Sequence, residues 1–411
     1  MAVDNASTAM LFAGVLILLA VLAARLSERI RVPTLLLFLL VGMLAGSEGP
    51  GAVEFDSPAL AQAVGSAALA VILFSGGLDT RWSSIRPVLA PGLVLASAGV
   101  LVTAGIVGTS AWVLLGSFTD FELGTQGLSW PEALLLGAIV SSTDVAALFG
   151  LFRGPTPAPR ARIRSLLELE SGTNDPAAII LTTTLLGLLG TSDAGALDVL
   201  VDVTRQVSLG LLFGLVLGLG GVWLANRLHL QSTGLFPLYV LSIGLVSFGV
   251  GEIAGANAFL IVYIAGIVIG NRLRRHRDLV LSTTDAFAWL AQIIMFLVLG
   301  LLVVPSHLVD IAPVAIVLTL ILVVIARPAA VILCLAPFDF DRESTLYVSW
   351  AGLKGAVPIV LATFPATYGM AGASNIFSIV FTVVVVSVLA QGVSLPSVAR
   401  RLRVTEDESR S

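Results

Sequence analysis

The stretch Leu166–Gly190, LLELESGTNDPAAIILTTTLLGLLG, supports two opposed readings. Its middle, Glu170 to Pro176, has the composition of a surface turn, with Gly172, Asn174, Asp175 and Pro176 close together. Its flanks have the composition of a membrane interior. The neighbouring charges decide between the two. Arg160, Arg162 and Arg164 precede the stretch, and Asp193, Asp198 and Asp202 follow it. Basic loops stay on the cytoplasmic side, so the chain crosses once between the two clusters. With the polar middle taken as a loop, only about 14 residues remain, ~21 Å of helix against a ~30 Å hydrocarbon core. With the middle included, about 26 residues are available, which suffices. The polar cluster lies within the membrane.

The rest of the chain fits a membrane protein. Of its 411 residues 57% are hydrophobic and only 12% charged; a soluble domain carries roughly twice that charge. The pattern predicts an all-α polytopic protein with about thirteen apolar segments, the first at 7–28 and the last at 373–398. Segments 32–46 and 256–270 are short and should be tilted, re-entrant or broken. The first segment lacks a basic start and a small-residue cleavage site, so it reads as a retained helix. A single cysteine, Cys334, excludes a disulfide framework and a thiolate metal cluster. No basic domain offers a nucleic-acid partner. The absence of HExxH and GxSxG patterns, and of any histidine far from a segment end, argues against an enzyme.

Basic residues are placed unevenly. Every second loop is basic, from Arg25, Arg29 and Arg31 to the closing Arg400, Arg401, Arg403 and Arg410, while the alternate loops carry acids such as Glu48, Glu54, Asp120 and Glu122. This puts the N-terminus outside and the C-terminus in the cytoplasm, with an odd number of crossings. Apart from Arg205 at an outer edge, two of the 22 basic residues escape the pattern: Arg327 and Lys354, the only lysine, both inside apolar segments. Asp144, Glu170 and Asp175, with Glu168 nearer the cytoplasm, are the acids that join them. Charges at such depth must find partners or water and mark function by default.

Helical geometry puts Ser171 and Asp175 on one face of segment six and Glu170 with Asn174 on the next. Ser171 and Asp175 are thus free to converge on one ligand, and charge balance points to Arg327 as a structural partner for Glu170. Asp144 in SSTDV and Lys354 in GLKGAVP interrupt segments five and twelve in the two halves of the chain. Paired interruptions of this kind point to an inverted-repeat transporter whose two broken helices cross at midplane. There Asp144 and Lys354 would offset the charge of the exposed helix ends. The oxygens on offer suit Na⁺, K⁺ or protons. Burial favours the protonated form of a carboxylate, so one site that takes either H⁺ or a cation exchanges them by competition. Each residue also has a bland reading: Arg327 as a snorkelling helix-end residue, Lys354 as a cytoplasmic residue between re-entrant pieces, Asp144 as a helix cap, Glu168 as a solvated edge residue. All being incidental together is the weaker reading.

SSTDVAALFGLF, ELESGTNDPAAI, IARP and GLKGAVPI, in this order and spacing, resemble the NhaP-type branch of the monovalent cation:proton antiporters, within the sodium/hydrogen exchangers. The pair ESGTNDP and GLKGAVPI looks most like the cell-volume-regulation potassium/proton antiporters. The resemblance implies an NhaA/NhaP-like fold of about 13 helices, a homodimer in membrane lipid, and elevator-type alternating access in the cell membrane. It implies a core domain mainly over 58–190 and 284–398, a dimerisation domain mainly over 7–46 and 206–270, and a disordered tail at 404–411. It implies electroneutral exchange of K⁺ or Na⁺ for H⁺, no cofactor, and cation ligands at Asp175, Asp144, Ser171 and the Thr143 carbonyl, with Asn174 beside them. Glu170 and Arg327 become the family's structural ion pair. Two departures leave affinity and regulation open: Ser75 stands where relatives have an acid, and the sequence ends soon after Arg403, where potassium-type relatives often carry a regulatory domain. An electrogenic or symporting carrier would want a titratable group at Asn174. A channel subunit, the reading from another class, would want a repeated filter segment.

Overall fold

Apolar runs punctuated by Pro, Gly and charge clusters become helices along the whole chain. The computed structural model describes residues 6–30, 32–117, 127–144, 158–190, 195–228 and 232–405. The first half contains α1 (Ala6–Ile30), α2 (Thr34–Ala45), α3 (Pro58–Asp79), α4 (Leu89–Trp112), α5 (Trp130–Ile139), α6 (Ala161–Gly190) and α7 (Ala196–Arg227). The second contains α8 (Leu235–Ala254), α9 (Ala258–Arg272), α10 (Arg277–Leu301), α11 (Pro305–Ile321), α12 (Arg327–Leu335), α13 (Arg342–Trp350), α14 (Ala356–Leu361) and α15 (Ala373–Arg401). Among the described residues there is no strand, only an isolated bridge between Pro159 and Thr405.

Eight helical stretches are long and apolar enough to cross a membrane. The remaining expected segments are shorter apolar helices, among them α2, α5 and α9, or α6 with its polar centre. Among the described residues, length and composition alone pick out eight of the expected segments, and the shorter or polar-centred helices supply further ones. Both short segments have visible causes. Pro33 and Gly46 bound the 12 residues of α2, and Asn257 starts the 15 residues of α9. Segment eleven is α11 and α12 joined by a π-helical turn, Leu322–Ala326, just ahead of Arg327 and Pro328. A proline at the second position of α12 cannot donate into the preceding turn, so the ladder slips there.

Two packing groups emerge. In one, α3 lies on α9 and α10, α10 on α2, and α9 on α7 and α8. Close approach of α3 and α9 requires glycine: a Cβ on Gly270 would stand 2.1 Å from the Leu78 carbonyl oxygen. In the other group, α4 packs on α5, α6 and α12, and α15 on α11, α13 and α14. Segments 58–78 and 284–304 thus pack mainly with the first group. The reason is the glycine-lined seam of α3 with α9, which periodicity within one segment does not reveal.

Segment twelve is broken: α13 ends at Trp350 and α14 starts at Ala356. Segment five unwinds after α5, and Ser142–Asp144 are without helix; its second half, 145–152, lies outside the described residues, as does the tail from 406 onward. The start of α6 is pinned by Arg160, whose N–H donates to the Val404 carbonyl at 2.8 Å.

Candidate cation and proton site

The two unwound stretches meet beneath the middle of α6. The Asp144 N–H donates to the Leu353 carbonyl at 2.8 Å, joining the breaks. Lys354, 1% exposed, donates its Nζ to the carbonyls of Ser141 at 3.2 Å and Ser142 at 2.9 Å. Those carbonyls follow the last turn of α5, where helical donors have run out; the ammonium replaces them and meets the negative end of the helix dipole. The Asp144 carboxylate lies against Gly355, which precedes α14; a Cβ there would be 2.1 Å from Oδ2. Only glycine leaves room for that carboxylate. Asp144 and Lys354 therefore stand at ends of opposite dipole, one at the start of α14 and one at the end of α5.

α6 supplies the other wall. Asp175, 8% exposed, accepts a hydrogen bond from Ser142 Oγ at 2.5 Å. It lies within electrostatic reach of Asp144 and Lys354. Ser171 Oγ donates to the Thr143 carbonyl at 2.9 Å, and Asn174 Nδ2 donates to Thr143 Oγ1 at 2.6 Å. Asn174 Oδ1 is buried with no hydrogen-bond partner. Ser171 and Asp175 thus reach the same unwound stretch, as their shared helix face suggests. Each is bonded to a different residue of it.

On the neighbouring face, Glu170 and Arg327 form a forked pair, Nη1 with Oε1 and Nη2 with Oε2 at 2.9 Å. Both are buried, at 1% and 4% exposure, and Arg327 Nη2 also donates to the Val348 carbonyl at 3.3 Å. The pair ties α6 to α12 and α13. Glu168 lies outside this centre, bonded to Arg164 at 2.9 Å and partly exposed. Ser75, at the position where the resemblance leads one to look for an acid, is buried in α3.

Ser142 was not singled out by its sequence context. The polar run Ser141–Asp144 signalled an interruption, but in unwound chain no periodicity tells which hydroxyl turns to α6. Ser141 turns back to Ala138 at 2.6 Å, and Ser142 turns to Asp175.

Residues 15–401 match the model of the family described as sodium/hydrogen exchanger, transmembrane. The chain belongs to the sodium/hydrogen exchanger family. It is 42% identical over 392 residues to the K⁺/H⁺ antiporter NhaP of Alkalimonas amylolytica, covering 95% of this chain and 66% of that one. It is 41% identical over 408 residues to the K⁺/H⁺ antiporter NhaP2 of Shewanella sp. strain MR-4, covering 98% and 68%. Similarity to the Na⁺/H⁺ antiporter NhaS2 of Synechocystis sp. is lower, 29% over 354 residues, covering 82% and 61%. The chain spans about two-thirds of the length of the potassium relatives. Its fold is that of the sodium proton antiporter MjNhaP1 of Methanocaldococcus jannaschii at pH 8, with TM-score 0.81, 23% identity, and 96% and 99% of the two chains covered. Family members named here are transporters and not enzymes, and this exchanger-family chain is a multi-pass membrane protein.

Proposed function

We propose that this chain is a secondary antiporter exchanging a monovalent cation, K⁺ or Na⁺, for H⁺ across the cell membrane. The observation that carries the reading is a buried carboxylate, Asp175, with one hydroxyl, Ser142 Oγ, bonded to it where two unwound segments meet. A proton on Asp175 or a monovalent cation beside it leaves the loaded site with the same charge, and Asn174, next to it, cannot titrate. Exchange is then one for one and insensitive to voltage. The cation is bound by Asp175, Asp144, Ser171 and Thr143, with Asn174 orienting Thr143. Hard oxygen ligands at such a site suit alkali ions.

In this reading the group carrying the site, α4–α6 and α11–α15, slides against α1–α3 and α7–α10 and exposes Asp175 to each side in turn. The second group forms the homodimer interface within the lipid bilayer. The loop charges support an external N-terminus and a cytoplasmic C-terminus.

The test is proton efflux from proteoliposomes with an imposed pH gradient, after addition of K⁺, Na⁺ or Li⁺, with and without clamped voltage. Dissipation by K⁺ that ignores voltage supports electroneutral potassium/proton antiport, and dissipation by Na⁺ alone keeps the mechanism and changes the substrate. A rate that follows the voltage contradicts the one-for-one exchange. No dissipation by any cation, from folded protein, contradicts the antiport.

A further inference from the structure

Asn257, at the start of α9, makes a contact that the ion chemistry does not use. It is 4% exposed. Its Oδ1 accepts from the Leu260 N–H at 2.7 Å and caps α9, while its Nδ2 donates to the Pro176 carbonyl of α6 at 3.3 Å. Its own N–H donates to the Gln206 carbonyl of α7 at 3.4 Å. Asn257 is thus anchored to α7 and α9 and reaches across to the residue that follows Asp175. It joins the two packing groups at the level of the site.

The geometry suits a bond that is made and released. Capping pins Oδ1, so Nδ2 is already aimed at α6 and little side-chain entropy is lost when the bond forms. At 3.3 Å it is longer than the usual range for N–H···O bonds, which makes it a weak one. One turn towards the cytoplasm, the Tyr263 ring packs on Gly172, where a Cβ would stand 2.3 Å from ring carbon Cζ. That contact is steric and without direction. Asn257 supplies the directed one. With 15 residues, α9 reaches about 22 Å up from its cytoplasmic end, so Asn257 stands in the outer half of the ~30 Å core, on the outer side of the Gly172–Pro176 turn.

We propose that Asn257 is an outer latch, its amide holding the site helix to the scaffold while the site faces the cytoplasm and releasing it when the site turns outward. The proposal rests on the two-group antiport reading. A neutral hydrogen bond made in one state only shifts the balance between states by roughly two- to tenfold. Asn257 is a positioning residue in this account.

Asn257→Ser separates the latch from the cap, since serine caps a helix as well as asparagine but lacks the amide donor. In uniformly oriented proteoliposomes, the half-saturating K⁺ or Na⁺ concentration is measured from each face. Asn257→Ser is expected to lower the external value and raise the cytoplasmic one, changing their ratio by about two- to tenfold. A second readout needs no transport. Ile180, one turn beyond Pro176 and 7% exposed, is replaced by cysteine in a Cys334→Ser background and labelled from outside with an impermeant maleimide. Asn257→Ser should speed the labelling by a similar factor. An unchanged ratio and an unchanged labelling rate would reduce Asn257 to a helix cap and overturn the latch. If the parent protein exchanges no cation at all, the antiport reading fails, while the labelling still reports on the latch.

Discussion

At Asp175 a substitution of one atom separates charge from shape. Asp175→Asn keeps the acceptor for Ser142 Oγ but removes the carboxylate, and it should abolish exchange while the protein still folds. Exchange retained by folded Asp175→Asn protein, measured as cation-driven proton flux, would remove Asp175 from its role. Arg327 predicts the opposite pattern. Removing one partner of a buried ion pair leaves the other charge stranded, at a cost of about 3–5 kcal/mol. Arg327→Ala should therefore lower yield and melting temperature, and any protein that survives should keep its cation affinity. A variant of normal stability with altered affinity would mean that Arg327 serves the ion rather than the fold. Much at this scale was legible in the sequence: a lone arginine and a lone lysine inside apolar runs leave few carboxylates to pair with. Lys354 shows the limit of charge counting, since its partners are the carbonyls of Ser141 and Ser142, and backbone groups carry no letter in a sequence.

Broken helices depend on what fills their ends. Gly355 leaves the space that the Asp144 carboxylate occupies, so Gly355→Ala must push the carboxylate or the chain aside. Cation-driven proton flux should fall at least tenfold with little change in helix content by circular dichroism; near-normal flux would mean that the crossing tolerates a shift. The break itself was visible from the glycines and proline around Lys354. Which hydroxyl meets Asp175 was not, because helical spacing stops informing where the helix stops. At the start of α13, Asp341 accepts from the Ser344 N–H at 3.3 Å and lies 3.3 Å from Arg160. The hydrogen bonds from Ser344, foremost, and the Arg160 charge hold its carboxyl below the usual carboxylate value. A depressed folded value stabilises the protein above the unfolded pKa near ~3.9, and that stabilisation fades as pH falls through the lower folded value. Asp341→Ala should cost about 0.5–1 kcal/mol at pH 7, at the low end because the pair is exposed. Melting curves of parent and variant should draw together as pH falls below the usual carboxylate range; a gap that stays constant throughout would assign the loss to packing rather than charge.

Over the whole molecule, the alternation of basic and acidic loops predicts a direction for the topology, and the polar stretch Glu170–Pro176 lies, as the length needed for a crossing requires, inside the single 30-residue helix α6. Its division into two packing groups was less legible. The seam of α3 with α9 depends on glycines in segments far apart in the chain, and no pattern within one segment announces which distant helix it will touch. The proposed mechanism needs both levels: a carboxylate at the crossing, and two groups that move past each other. Its central claim is that H⁺ and the cation compete for one carboxylate, and the direct measurement is the half-saturating cation concentration of exchange as a function of pH, with the maximal rate read alongside. Competition by one proton predicts a half-saturating concentration that rises about tenfold for each unit of falling pH below the apparent pKa of the site, at constant maximal rate. A half-saturating concentration that stays flat across that range, with only the maximal rate changing, would contradict it.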